Sequence, residues 1–234
     1  DFMAHSVYLS PSTQEHNTGY GAYGTEEQRM NKIADIAEPM LKSYGLTVYR
    51  NKPEMTLKEV VADSNGKNPD IHFAIHSSAN NGKARGCEVY CYKFGGEGEK
   101  LARYVYAEME KITPTEGRGV KESDNHFGEG KPLYETAYTR APAGLIEVAF
   151  HDNPEDAEWI MGHTEEIAHS IVKGILHYFG IDDSADVNAA YKEIIQNRCN
   201  FSHPEGVWEV IDTHKYADDL YRKWAESYKS EVSP

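Results

Sequence analysis

The sequence predicts an α/β protein with a mainly parallel sheet covered by helices on both faces, followed by a small C-terminal three-helix bundle. Three observations predict it. Strand-like and helix-like segments alternate as far as about residue 180, the pattern that crossover-connected parallel strands produce. Residues 144–150 form a near-continuous apolar run, as expected of a central strand buried on both faces. After Gly180 the texture changes: Asp182-Asp183-Ser184 reads as a linker, and no strand-like run follows it. Two domains are therefore expected, at 1–181 and 182–234.

The elements follow in order. A short strand at residues 6–9 leads into a polar, Gly-rich loop ending at Gly24. A helix begins at Thr25, because Thr25 with Gln28 three residues on forms a capping-box pattern. Apolar residues then recur with helical spacing at Met30, Ile33, Ile36/Ala37, Met40 and Leu41. Gly45 closes that helix and residues 46–50 return as a strand. Residues 56–65 read as a second, shorter helix stopped by Gly66, and residues 70–76 and 87–92 read as strands. Residues 97–112 form a helix with its apolar face at Leu101, Tyr104/Val105, Met109 and Ile112, and 163–179 form a further amphipathic helix. In the C-terminal part, helices are expected near 185–197, 204–212 and 214–229, with Pro204 suited to a first turn. Its aromatics Phe201, Trp208, Tyr216, Tyr221, Trp224 and Tyr228 read first as core, since so small a unit needs large side chains to bury enough area.

Composition narrows the function. The chain has 234 residues, 39% hydrophobic and 26% charged, which is globular rather than disordered. Its net charge of −14 argues against nucleic acid as a partner and against a polybasic grip on a membrane. No apolar run is long enough to span a bilayer, and Asp1 to His5 carry neither an initiator Met nor a signal-peptide pattern. The cysteines Cys87, Cys91 and Cys199 are too few for a disulfide framework. Cys87 and Cys91, four apart on a strand, lie about 13 Å apart and read as packed free thiols.

The chemistry-bearing residues fall where strands end. Ligands of open parallel sheets sit at the carboxyl ends of strands. His16 lies in the loop after the first strand, Glu26 and Glu27 open the helix it feeds, His76 closes the 70–76 strand, and Glu147 sits inside the 144–150 run. A carboxylate in a buried apolar strand costs several kcal/mol unless something pairs with it. A metal, a metal-bound water, an arginine or a retained proton would each supply that pairing to Glu147. His72 and His76 stand about 13 Å apart on one strand, so only one can serve a given ion, and His76 is the better placed. Glu26 and Glu27 also suit the helix dipole, and His16 taken alone reads as exposed.

Several segments in this order resemble the zinc-dependent N-acetylmuramoyl-L-alanine amidases of the family-3 type, found in bacterial autolysins, spore-lytic enzymes and phage endolysins. Ser10-Pro11-Ser12-Thr13-Gln14-Glu15-His16-Asn17 resembles the first metal loop, and Glu27-Gln28-Arg29-Met30-Asn31 the Glu-led helix start. Ala74-Ile75-His76-Ser77-Ser78-Ala79-Asn80, followed by Arg85-Gly86-Cys87-Glu88-Val89-Tyr90, is similar to the strand-end His motif. Pro142 to Phe150 is similar to the catalytic-Glu strand, and His151-Asp152-Asn153 continues it. The resemblance covers about residues 7–181. It implies that His16, Glu27 and His76 bind Zn²⁺ and that Glu147 is the catalytic acid/base. Glu27 is taken over Glu26 because of its spacing to Asn31. Two positions depart from the pattern: the His many members carry in a Gly-His-Gly-Gly run is displaced to His16, and Ser78 stands where an Asn is usual. The implied substrate is peptidoglycan, reached by secretion or by release on lysis, with residues 182–234 as a wall-targeting or assembly module. The alternatives are a zinc carboxypeptidase acting on the peptide stem and a non-catalytic wall-binding protein.

Overall fold

A computed structural model describes residues 5–182 of the chain. The chain separates into two compact units, Asp1–Asp182 and Asp183–Pro234. The three expected C-terminal helices and their aromatics lie outside the described residues.

Six strands form one sheet in the order β2-β1-β3-β6-β4-β5. They are β1 (Ser6–Pro11), β2 (Thr47–Arg50), β3 (Ile71–Ser78), β4 (Glu88–Cys91), β5 (Val120–Glu122) and β6 (Ala143–Phe150). Strands β2, β1, β3 and β6 run parallel, whereas β4 pairs antiparallel with β6 and carries β5 parallel to itself. The sheet is thus mostly parallel with one reversal, at the β6–β4 seam.

The helices are α1 (Glu26–Ser43), α2 (Leu57–Lys67), α3 (Glu97–Met109), α4 (Tyr134–Tyr138), α5 (Pro154–Gly162) and α6 (Thr164–Phe179). Helix α1 starts where its capping box lies, with Thr25 and Gln28 each bonding the other's backbone N–H. Helix α2 runs through Gly66 and ends instead at Asn68, which takes the left-handed conformation. Glycine in a helix interior is tolerated when packing outweighs its entropy; here Val60, Val61 and Ser64 bury one face of α2. Residues 113–142 gave no element in the sequence reading; they hold β5 and α4, both too short for a periodic signal.

Side-chain alternation divides the sheet into two chemically different faces. On one, Val7, Leu9, Ile71, Phe73, Ile75, Ile146 and Val148 pack against α1, α3 and α6 in one large apolar core. On the other stand Tyr8, Ser10, His72, His76, Glu147, Glu88 and Tyr90, with only Ala74, Tyr90, Leu133 and Leu145 forming a small apolar cluster. This polar face meets α2 through Asp63 and Ser64 and α4 through Glu135. Cys87 and Cys91 are buried free thiols.

Candidate active site

The site lies on the polar face, at the carboxyl ends of β1, β3 and β6. Strand register aligns three ionisable side chains at one level, because His76 of β3 pairs with Glu147 of β6, and Glu147 pairs with Glu88 of β4. Neighbouring strands lie about 4.8 Å apart, so Glu147 stands beside both. A register shift just past His76 re-aims the end of β3.

His76 is held between two carboxylates. Its Nδ1 is 2.7 Å from Glu26 Oε1 and its Nε2 is 3.3 Å from Glu135 Oε1. Burial works against a charged imidazole, but the hydrogen bonds from Glu135 and Glu26 outweigh it and hold His76 well above its ordinary value. Burial would likewise raise Glu26 and Glu135, yet their histidine partners hold both carboxyls below the usual range. Glu88 resembles them: Lys121 and Arg118 hold it ionised against its burial, and Tyr90 Oη donates to it at 2.9 Å.

Glu147 differs from all three. Its Oε2 is enclosed without a hydrogen-bond partner. Burial, reinforced by the charges of Glu26 and Glu88 and only partly offset by His76, pushes its carboxyl up to about 8. Among the described residues, no arginine pairs with it. The site therefore contains one carboxyl that keeps its proton near neutrality among several that are ionised, the separation that acid/base chemistry needs.

The structure redistributes the residues expected from the sequence. Glu147 and His76 come together. Glu27 does not join them: its Oε1 accepts from Asn31 Nδ2, one turn along α1. The reason is helical phase. Glu26 lies four residues before buried Met30 and points to the core side, whereas Glu27 lies four before Asn31 and turns away. The structure thus places Glu26, and not the Glu27 chosen on its spacing to Asn31, against His76. His16 is also left out. Backbone turns from Glu15 N–H to Thr13 and from Asn17 N–H to Gln14 place it at the apex of the first loop. Its side chain is 93% exposed, with its Nε2 3.2 Å from Glu15 Oε1. The loop residues that do reach Glu26 are Gln14, at 3.3 Å, and Asn17, at 2.5 Å.

Sequence reasoning missed two supporting groups. Glu135, in the short α4, carries no periodic signal. His151 is pushed down by burial and so is neutral; it links Ser77 Oγ (2.8 Å) to Asn17 Oδ1 (3.1 Å), and Tyr23 Oη closes on Ser77 at 2.7 Å. With Asn17 Nδ2 donating to Glu26, the chain has one consistent direction: Tyr23 to Ser77 to His151 to Asn17 to Glu26. That direction assigns the Nε2–H tautomer to His151.

The donor types suit zinc, which takes imidazole nitrogen and carboxylate oxygen. Two donors on one tetrahedral zinc stand about 3.3 Å apart. Glu26 Oε1 and His76 Nδ1, at 2.7 Å, would open by only about 0.6 Å to admit an ion at such distances. Among the described residues, no group of three or more His, Cys, Asp or Glu stands in ligand geometry. The fit thus rests on the Glu26–His76 pair and on the orphaned Oε2 of Glu147 beside it.

Comparison with known proteins identifies the family. The family model for N-acetylmuramoyl-L-alanine amidase matches residues 7–177, most of the chain. The chain belongs to the N-acetylmuramoyl-L-alanine amidase family. Among its relatives, an uncharacterised Bacillus subtilis protein, YqiI, is 27% identical over 183 residues, covering 74% of this chain and 84% of that protein. The germination-specific N-acetylmuramoyl-L-alanine amidase of the same organism is 30% identical over 149 residues, covering 62% of this chain and 57% of that protein. An N-acetylmuramoyl-L-alanine amidase structure from Clostridium difficile 630 superposes with a TM-score of 0.67 at 22% identity, covering 76% of this chain and 97% of that one. This likeness concerns the amidase fold. All the side chains gathered around His76 fall inside the span matched by the amidase family model.

Proposed function

We propose that the chain is a zinc-dependent hydrolase of peptidoglycan, cutting the amide bond between the lactyl group of N-acetylmuramic acid and L-alanine of the stem peptide. Family membership supplies the amidase reaction. The observation that carries the mechanism is the unpartnered, proton-retaining Glu147 beside His76. Glu26 and His76 would hold the zinc, and no role in binding it is given to His16 or Glu27. Bound there, zinc would supply a Lewis acid for the scissile carbonyl and acidify the attacking water.

The protein's own groups do the rest. With a bound cation beside it, Glu147 would give up the proton it retains in the metal-free protein, and as a carboxylate it accepts a proton from the attacking water as the water oxygen bonds to the carbonyl carbon. It then delivers that proton to the amide nitrogen as the C–N bond breaks, releasing the free amine of L-alanine. Glu26 is kept ionised by His76 and oriented by Asn17, so it is ready as an anionic ligand without first losing a proton. Action on the wall places the protein where its substrate is.

The test is release of free L-alanine amino groups from purified peptidoglycan, with and without a chelator. Glu147→Gln should keep zinc, measured by elemental analysis, and lose at least about 10²-fold in turnover. His76→Ala should lose the metal too. Full turnover by Glu147→Gln ends the mechanism, and release of stem-peptide fragments with an intact lactyl–alanine bond ends the substrate assignment.

A further inference from the structure

The carboxylate on the far side of His76 has no part in the reaction described so far. Glu135 is 3% exposed and comes from α4, outside the strand-end motifs. Its two oxygens are used unequally. Oε2 accepts from Ser10 Oγ at 2.6 Å and bonds His72 Nε2 at 2.7 Å. Oε1 has one partner, His76 Nε2, at 3.3 Å. His72 is itself fixed: it is fully buried, its Nδ1 lies 2.9 Å from Ser64 Oγ, and its ring stacks on Tyr8 at 5.3 Å. The carboxylate is thus tied to β1 through Ser10, to β3 through His72 and to α2 through Ser64.

Glu26, on the other side of the ring, is tied differently. Its amide partners, Gln14 and Asn17, belong to the first loop, whose apex is open to solvent. Of the two carboxylates on His76, Glu135 is tied to β1, β3 and α2, and Glu26 to first-loop side chains and, at 3.5 Å, to the backbone N–H of Ser77. An imidazole that binds a metal through one nitrogen almost always offers its other N–H to a carboxylate, which fixes its tautomer and orientation.

We propose that Glu135 is the positioning residue of the site: by bonding His76 Nε2 it fixes the ring with Nδ1 turned toward Glu26 as the metal-facing nitrogen. The metal half of this statement rests on the zinc reading above. The ring's orientation does not. Buttressing by Ser10 and His72 makes Glu135 stiff enough to do this, since a carboxylate free to swing would follow the ring instead of fixing it.

Zinc affinity measured by competition with a chromophoric chelator tests the first half. Glu135→Gln should weaken zinc 10- to 100-fold, and Glu26→Gln should weaken it more, having lost a ligand. An unchanged affinity in Glu135→Gln, or a larger loss there than in Glu26→Gln, overturns the proposal. Ring ¹⁵N NMR of His76 in the zinc-loaded wild-type protein tests the second half: a metal-bound Nδ1 and an Nε2 that keeps its proton are expected, and a metal-bound Nε2 overturns the assignment. Should the wild-type chain bind no zinc, the metal reading falls, and a crystal structure of the zinc-free protein still decides the orientation: Nε2 within hydrogen-bond reach of Glu135 is expected, and a ring turned away from it overturns the assignment.

Discussion

Glu88 and Glu147 face each other across one strand pair, yet the first is ionised and the second is not. Glu88 has Arg118, Lys121 and Tyr90 around it, while Glu147 has a buried oxygen with nothing to bond. The contrast has a consequence for stability in the metal-free protein. The ordinary carboxyl value is 4.5, and folding raises Glu147 to about 8. The folded state therefore binds this proton more tightly than the unfolded chain does. The stabilisation it confers is complete below about pH 4.5 and is lost as pH climbs through about 8. His76, also raised, contributes in the same direction. Glu147→Gln removes only the first contribution, so thermal melts in a chelator should fall less steeply between pH 5 and 8 in the variant than in the wild type. Parallel curves would refute the buried-acid assignment. Glu26 and Glu135, held low by their histidines, act oppositely: their stabilisation is present above the ordinary carboxyl range and lost in acid.

Two helical glycines show how packing decides what an element tolerates. Gly66 lies inside α2, and a Cβ there would meet nothing within 4 Å. Gly66→Ala should therefore raise stability by about 0.5–1 kcal/mol, from helix propensity alone. Gly174 lies in α6 against α3, where an added Cβ would come 2.4 Å from Val105 Cα. Gly174→Ala should cost about 1–3 kcal/mol as the two helices are forced apart. Urea denaturation of the two variants checks both signs, and a destabilised Gly66→Ala would show that α2 needs that glycine for another reason. The same logic explains the misplaced end of α2 in the sequence reading. Gly66 has the chemistry of a stop, but the chain continues one more residue and uses the left-handed Asn68.

At the scale of the molecule, the candidate site and the main core occupy opposite faces of one sheet. Large aliphatic side chains on one face carry the core, and the other face is left to polar groups that are costly to bury and must satisfy one another. All of them lie within the unit Asp1–Asp182, which also contains the matched span 7–177. A chain ending at residue 182 is therefore expected to fold cooperatively and to release L-alanine amino groups from peptidoglycan at a turnover within a few-fold of the full chain. Circular dichroism and the same peptidoglycan assay check this. An unfolded product would show that the second unit is needed for stability.

Much of this protein is legible in its residues taken in order. Alternating strand and helix signals, the Thr25 capping box and the apolar run holding Glu147 specify an α/β sheet with an acid buried in a central strand. These signals are local, and local energetics enforces them. The identity of the groups around His76 was decided elsewhere. Glu26 and Glu27 are adjacent, and only the rotation of α1, set by packing Met30, Ile33 and Leu41 into the core, selects the first. Glu135 is 59 residues from His76 in the chain, and a five-residue helix brings them together. His16 matched a motif, but two backbone turns point it at solvent. Periodicity reports which face of an element is apolar; which side chains meet across elements depends on helix phase and strand register, and those are properties of the packed whole.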